Sequence, residues 1–312
     1  MRKHRRFVLG AGLLAVALFA AACSSGGDDT AGGGDTGSTP AAKGEITVGV
    51  SGAFPENQLV AEMYAQVLEN AGYTVKRELD LASRDVSDPA LLNSEIDLKP
   101  EYTGYELPAF DKKAATNGPP EDVAASLSTA VQSKGLVTYA ISPANSTNVF
   151  VVTPDTQQQN NLTDLSSLQP IAGDLVFGGP PDCPSQDFCI PGLKKTYDIE
   201  FKEFKPLDPG GPKTVAAVKS GAVDVGELFS LDPAIAENGF VTLVDDLSLQ
   251  AAGNFVPLVR EDVASDELGT LLDGVTTTLT DENMRDMVGQ VLLDKRDIAD
   301  VSKEYLSSQG LL

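Results

Sequence analysis

The side chains that most often carry catalysis are almost absent from this sequence. Its only histidine, His4, stands among the first six residues, so a chain cut after residue 22 contains none. Histidine triads, histidine-assisted base chemistry and histidine-containing zinc sites are thereby excluded. Carboxylate-only or Ser/Lys chemistry is the remaining route to an enzyme, and it would lack the base tuned near neutral pH that enzymes usually bring. Cys183 and Cys189 stand six residues apart in Pro181-Asp182-Cys183-Pro184-Ser185-Gln186-Asp187-Phe188-Cys189-Ile190-Pro191. A metal site needs more ligands than this stretch offers. In an oxidising compartment the two thiols most simply form one disulfide closing a tight loop, which gains little stability and chiefly fixes local shape. Arg84 and Asp85 are an adjacent pair of opposite charge. They could clamp a carboxylate and balance a cation, or form a surface ion pair.

The third cysteine, Cys23, follows Ala20-Ala21-Ala22. Ahead of it, the basic run Met1-Arg2-Lys3-His4-Arg5-Arg6 precedes an uncharged stretch from Phe7 to Ala22, which reads as a signal peptide over residues 1–22. Its 16 uncharged residues fall short of the roughly 20 that a spanning helix needs. The Ala-Ala-Ala-Cys pattern resembles a lipobox, in which the cysteine is lipidated and becomes the mature N-terminus. An ordinary Ala-x-Ala cleavage that leaves Cys23 as a free thiol is the alternative. Arg5-Arg6 leaves both the general and the twin-arginine export routes open. Residues 24–44 are Ser, Gly, Thr, Asp, Ala and Pro, apart from Lys43, with almost nothing apolar. They read as a disordered tether behind Cys23, with a mean reach on the order of 25 Å. The formal net charge of −22 becomes −26 once the four positive charges of residues 1–22 are removed. That balance excludes nucleic acid as a partner, since affinity for phosphate backbones rests on Lys and Arg. It also disfavours adsorption on anionic lipid, so membrane attachment has to come from the anchor.

From Glu45 onward strands and helices alternate. Residues 46–50 have the pattern of a strand, and Leu59, Met63 and Val67, with Val60, Tyr64 and Leu68, recur at helical spacing up to Gly72. Residues 73–79 predict a second strand, 89–94 a short helix and 96–98 a third strand. A second series begins near Asn148, with strands at 149–153, 175–177, 201–204 and 223–228 and helices at 191–197 and 213–220. Such alternation implies mostly parallel sheets covered on both faces. A strand at 255–260 then leads to helices at 281–293 and 297–308. If this last segment packs on the first series, residues 45–143 and 251–312 form one lobe and 144–250 the other. The chain then crosses between lobes near 141–148 and 244–254. Two α/β lobes on a double crossing form a hinge, with a ligand cleft between the C-terminal ends of their strands.

Several stretches occur in an order that spans nearly all of this body. They are Phe54-Pro55-Glu56-Asn57-Gln58-Leu59-Val60-Ala61-Glu62-Met63-Tyr64, Asp88-Pro89-Ala90-Leu91-Leu92 and Glu95-Ile96-Asp97-Leu98-Lys99-Pro100-Glu101-Tyr102-Thr103-Gly104. In the second series they are Gly178-Gly179-Pro180-Pro181-Asp182-Cys183-Pro184, Pro191-Gly192-Leu193, Phe201-Lys202-Glu203-Phe204-Lys205-Pro206-Leu207-Asp208 and Leu228-Phe229-Ser230-Leu231-Asp232-Pro233-Ala234-Ile235. Together they resemble the osmoprotectant class of binding proteins, which serve ABC importers of glycine betaine, choline, carnitine and related quaternary ammonium compounds. The resemblance implies an α/β, two-lobed periplasmic-binding-protein fold of type II, with two hinge crossings and a cleft between lobes. It implies a small osmolyte ligand, ABC permease subunits as membrane partners, a monomeric chain, no cofactor and no catalysis.

A quaternary ammonium has no N–H to donate, so aromatic faces hold it, each cation–π contact contributing about 0.5–2 kcal/mol. With no tryptophan in the chain, Tyr and Phe must supply them. Tyr102 matches a cage tyrosine of the family; a half-buried strand tyrosine is the plainer reading. Asn57 stands where the family places a ligand-contacting amide, at a helix start whose free N–H groups favour an anion. Gln58 and Thr103 adjoin these two residues, and Asn148 and Asn254 close the two crossings. Other cage tyrosines of the family are missing at Asn145-Ser146-Thr147-Asn148, at Gly210-Gly211-Pro212-Lys213-Thr214 and at Ala251-Ala252-Gly253-Asn254. Tyr105 and Phe229 are the candidate substitutes. An aromatic or polar ligand that is not a quaternary amine is the alternative occupant.

Overall fold

The computed structural model describes residues 43–52 and 54–312, so the expected signal peptide, Cys23 and nearly all of the tether lie outside the described residues. The chain runs through β1 (Glu45–Ser51), α1 (Pro55–Asn70), β2 (Thr74–Leu81), α2 (Arg84–Leu92), β3 (Leu98–Tyr102), α3 (Thr103–Phe110), α4 (Pro120–Gln132) and β4 (Leu136–Thr138). A second series follows: β5 (Asn148–Val152), α5 (Pro154–Asn160), β6 (Val176–Gly179), α6 (Ile190–Tyr197), β7 (Glu203–Pro206), α7 (Pro212–Lys219), β8 (Val225–Phe229), α8 (Ala234–Glu237) and β9 (Val241–Leu243). The last elements are β10 (Phe255–Arg260), α9 (Asp266–Thr276), α10 (Asp281–Leu292) and α11 (Ile298–Ser308).

These strands build two five-stranded sheets, ordered β2-β1-β3-β10-β4 and β7-β6-β8-β5-β9. In each, one strand runs against the others: β10 is antiparallel to β3 and β4, and β5 to β8 and β9. Both are the first strands after a crossing between lobes. Alternation along the strands sets the layers. In β10, Phe255 and Val259 join the cluster under α1, α9, α10 and α11, whereas Val256 and Leu258 join the one under α2, α3 and α4. The second sheet is likewise covered on both faces, by α6 on one side and by α7 and α8 on the other.

Several expectations shift: the helix expected at 89–94 is α2, Arg84–Leu92, and the strand expected at 201–204 is β7, Glu203–Pro206. Three helices, not two, follow β10; Ser265 caps the added one, α9, its hydroxyl accepting from Leu268 N. The strand expected at 96–98 begins only at Leu98, because Ile96 packs beneath Gly49, where a Cβ would stand 2.6 Å from the Ile96 side chain. Asp97 there accepts from Thr47 N and Arg260 Nη1, each at 2.8 Å. β3 is wholly buried although it reads Leu-Lys-Pro-Glu-Tyr.

The crossing segments lie side by side and tie the hinge to β3. Asn145 bridges Asn254, and Ser142 N and Ser146 N donate to Phe255 O and Gly253 O, each at 2.9 Å. Glycine is required at 253, since a Cβ would stand 1.9 Å from Ser146 O. Thr103 Oγ1 donates to Ala252 O and Asn254 Nδ2 to Ser142 O. Leu231, in the loop between β8 and α8, is buried in the first lobe's cluster with Val288, so the second lobe reaches into the first lobe's core.

Candidate functional site

A cleft of about 470 Å³ lies between the lobes. The start of α1 brings Phe54 and Glu56 to it, the joint between β3 and α3 brings Tyr102 and Tyr105, and α2 brings Arg84. Ser146, Thr147 and Asn148 come from the first crossing, Phe188 from the cysteine loop, Phe229 from the end of β8, and Asp232 from the loop after it. Five aromatic rings therefore face one cavity. The Tyr102 and Tyr105 rings meet edge-on at 6.2 Å, and Phe255 backs Tyr102 at 5.0 Å. Glu56, only 8% exposed, accepts hydrogen bonds at its Oε1 from Tyr102 OH (3.3 Å) and Ser146 Oγ (3.1 Å). Burial pushes its carboxyl above the usual carboxylate range; its hydrogen bonds oppose this and Asp232 adds to it.

Behind Arg84 sits a buried ion cluster. Arg84 Nη2 donates to Glu101 Oε2 at 2.7 Å, and its Nε lies 2.9 Å from Glu106 Oε2. Lys99 pairs with Asp88, with Glu101 at 3.1 Å and with Glu106 at 3.3 Å. Lys99 and Glu106 are fully buried, and Glu101 nearly so. Burial, and then the charge of Glu101, pushes Glu106 up to about 8. Burial also works against Glu101, but Lys99 and Arg84 more than offset it and hold that carboxyl below its usual value. The three carboxyls could otherwise gather around a metal ion; the Lys99 ammonium takes the place of one.

A disulfide joins Cys183 and Cys189, with Cα atoms 5.3 Å apart. The loop it closes carries Phe188 to the cleft, and Gln250 Nε2 holds Phe188 O at 2.8 Å. Glu227 lies against the bridge, its Oε2 3.0 and 3.2 Å from the two sulfurs, and burial followed by Asp182 pushes its carboxyl up to about 7. Replacing both cysteines by serine is expected to cost at most about 2 kcal/mol of stability, the loop being short, and to weaken ligand binding about threefold to tenfold as Phe188 loses its seat. Thermal unfolding and calorimetric titration check both. An unchanged affinity would remove Phe188 from the ligand's surroundings.

Of the residues singled out in the sequence, Arg84, Tyr102, Tyr105, Asn148 and Phe229 meet at the cleft. The others go elsewhere. Asn57 is buried along α1, its Oδ1 without a hydrogen-bond partner among the described residues. Gln58 Nε2 donates to Leu79 O and steadies β2, while Asp85 is exposed on α2. Thr103 and Asn254 belong to the hinge. Glu56, Asp232, Ser146 and Phe188 reach the cleft without having been anticipated. Glu56 stood beside Asn57, and Phe188 between the two cysteines, so neighbouring residues carried the only signal for them.

The model for the substrate binding domain of the ABC-type glycine betaine transport system matches residues 44–308. The chain belongs to this family. Among its relatives, the glycine betaine-binding protein YehZ of Escherichia coli (strain K12) is 23% identical over 267 residues, covering 82% of this chain and 88% of YehZ. The ergothioneine transport permease/ergothioneine binding protein EgtU of Helicobacter pylori (strain G27) is 23% identical over 260 residues. That match covers 82% of this chain and 46% of EgtU, so the chain spans about half the length of that relative. A solved structure of a glycine betaine/carnitine/choline ABC transporter superposes with a TM-score of 0.78 at 19% identity, over 86% of this chain and 98% of the other. Apo YehZ superposes with a TM-score of 0.73 at 21% identity, over 86% and 99%. The fold of this family is the two-lobed type II architecture described above.

Proposed function

We propose that this chain is the extracytoplasmic solute receptor of an ABC importer, and that it takes a betaine- or choline-type quaternary ammonium compound between its lobes. The observation that carries this reading is a buried carboxyl, Glu56, set among the rings of Phe54, Tyr102, Tyr105, Phe188 and Phe229. Aromatic faces attract a diffuse cation by about 0.5–2 kcal/mol each, more where water is excluded, and the carboxyl supplies a counter-charge that needs no N–H from the ligand. Closure of the lobes on the double crossing would bury the ligand, and the permease would receive the closed form. Calorimetric titration with glycine betaine, choline, carnitine, ergothioneine and proline is expected to give a dissociation constant below about 1 mM for at least one quaternary compound. Silence from all of them with folded protein would end this reading.

The receptor is proposed to act as a monomer held at the outer face of the cytoplasmic membrane, or in a periplasm, by a lipid on Cys23 with residues 24–44 as its tether. Labelled palmitate incorporated in a producing bacterium is expected to disappear in a Cys23→Ala variant; label that persists would sink the anchor.

A further inference from the structure

The charges around the cleft are lopsided. Glu56 and Asp232 line it, and Glu227 shares a face of β8 with Phe229, two residues further along. All three carboxyls are raised, chiefly by burial, so the free cleft favours their neutral form and an entering cation draws them to the ionised one. Among the described residues no lysine or arginine forms an ion pair with Glu56 or Glu227, and Arg285 offsets the burial of Asp232 only in part, while its Nε donates to Ser230 O. Arg84, the one cation lining the cleft among the described residues, is already flanked by Glu101 and Glu106.

At three helix starts, backbone N–H groups that could receive an anion are taken by the chain's own carboxyls. Glu56 accepts its own backbone N–H at the start of α1. Asp208 accepts from Lys213 N and Thr214 N at the start of α7, whose leading loop packs Gly210 on the Phe229 ring. Asp232 Oδ1 accepts from Ala234 N at 2.8 Å. The chain's own carboxyl groups thus occupy these three helix starts, while Glu56 has no lysine or arginine paired with it among the described residues.

We infer that the cleft selects its ligand by net charge, taking an organic monocation that bears no acidic group, and that Glu56 sets this preference against carboxylate-bearing zwitterions of similar size. This rests on the receptor reading above. A zwitterion would bring its carboxylate into a water-poor space beside Glu56 and Asp232, where like charges oppose each other. A monocation brings only the charge that these carboxyls lack.

Choline and glycine betaine form a matched pair, sharing the trimethylammonium head and differing in a hydroxymethyl against a carboxylate. Calorimetric titration of the full chain with each, at one ionic strength and pH 7.5, is expected to show choline binding at least about tenfold more tightly. In Glu56→Gln the two affinities are expected to come within about threefold of each other, choline weakening and betaine strengthening. Asp232→Asn should shift the ratio in the same direction by less. Thermal unfolding confirms that each variant is folded. Betaine binding as tightly as choline to the unaltered protein would overturn charge selection and leave the receptor role standing. A tenfold preference that survives in folded Glu56→Gln would overturn the assignment to Glu56. Binding of neither ligand would overturn this inference, whereas the receptor reading falls only if carnitine, ergothioneine and proline also fail to bind the folded protein.

Discussion

Replacing Lys99 by methionine is expected to destabilise the protein by about 3–5 kcal/mol, the usual result of removing one partner from a buried ionic group. Lys99 is fully buried in β3 and faces Asp88, Glu101 and Glu106 at once. Without it only Arg84 remains against three carboxyls. The loss should also depend on pH, with a definite sign. Glu106 already titrates near 8 in the folded state, against the ordinary 4.5 of an unfolded glutamate. Between those values the native state holds a proton that the unfolded chain has released, so the stability Glu106 contributes is full below about 4.5 and is lost as pH rises through 8. Removal of the ammonium raises Glu106 further. The variant should therefore lose more stability at pH 8 than at pH 5, as urea unfolding at the two pH values would record. Adding Glu101→Gln to Lys99→Met should recover part of the loss. A cost below about 1 kcal/mol, typical of an exposed pair, would mean that water reaches the cluster.

Tyr102→Ala is expected to have the largest effect on binding. The substitution removes a ring from the cleft wall, the hydroxyl that donates to Glu56, and the edge against which Tyr105 rests. Affinity for the quaternary ligand should fall by about thirtyfold or more, the upper end of a desolvated cation–π contact. Stability should fall by about 3–5 kcal/mol, because the ring is 5% exposed and packs on Phe255. Tyr102→Phe separates the two roles. It keeps the ring and loses only the hydroxyl, so its affinity should stay within about threefold. A folded Tyr102→Ala protein with full affinity would take Tyr102 out of the site.

The layers were legible in the sequence because apolar alternation and helical spacing report which face is covered, as along β1, α1 and β10. β3 was displaced because Lys99, Pro100 and Glu101 do not look like a central strand. Their burial depends on Arg84, Asp88 and Glu106, brought together only by the fold. The same limit governs the site. Asn57 and Gln58 pointed to the first turn of α1 as ligand-facing, but successive helical residues point about 100° apart. Nothing local says that Glu56 rather than Asn57 turns to the cleft. Arg84 lines the cleft with Glu101 and Glu106 as its partners rather than Asp85, and nothing near Arg84 in the sequence points to residues so far along the chain. Phe188 lies in the loop that Cys183 and Cys189 close, and its place at the cleft depends on contacts such as that of Gln250 that no local pattern shows.

The antiparallel strand in the first sheet also bears on how the molecule is made. β5 to β9 form one uninterrupted stretch, and their sheet can be completed as soon as residue 243 is available. The other sheet has a gap between β3 and β4 that only β10 fills, and α9 to α11 then cover one of its faces. A chain that emerges from its N-terminus must therefore carry an unfinished first half, with the facing edges of β3 and β4 unpaired, while its middle closes. The part begun first is completed last, and the long loop closures that this requires slow the final step.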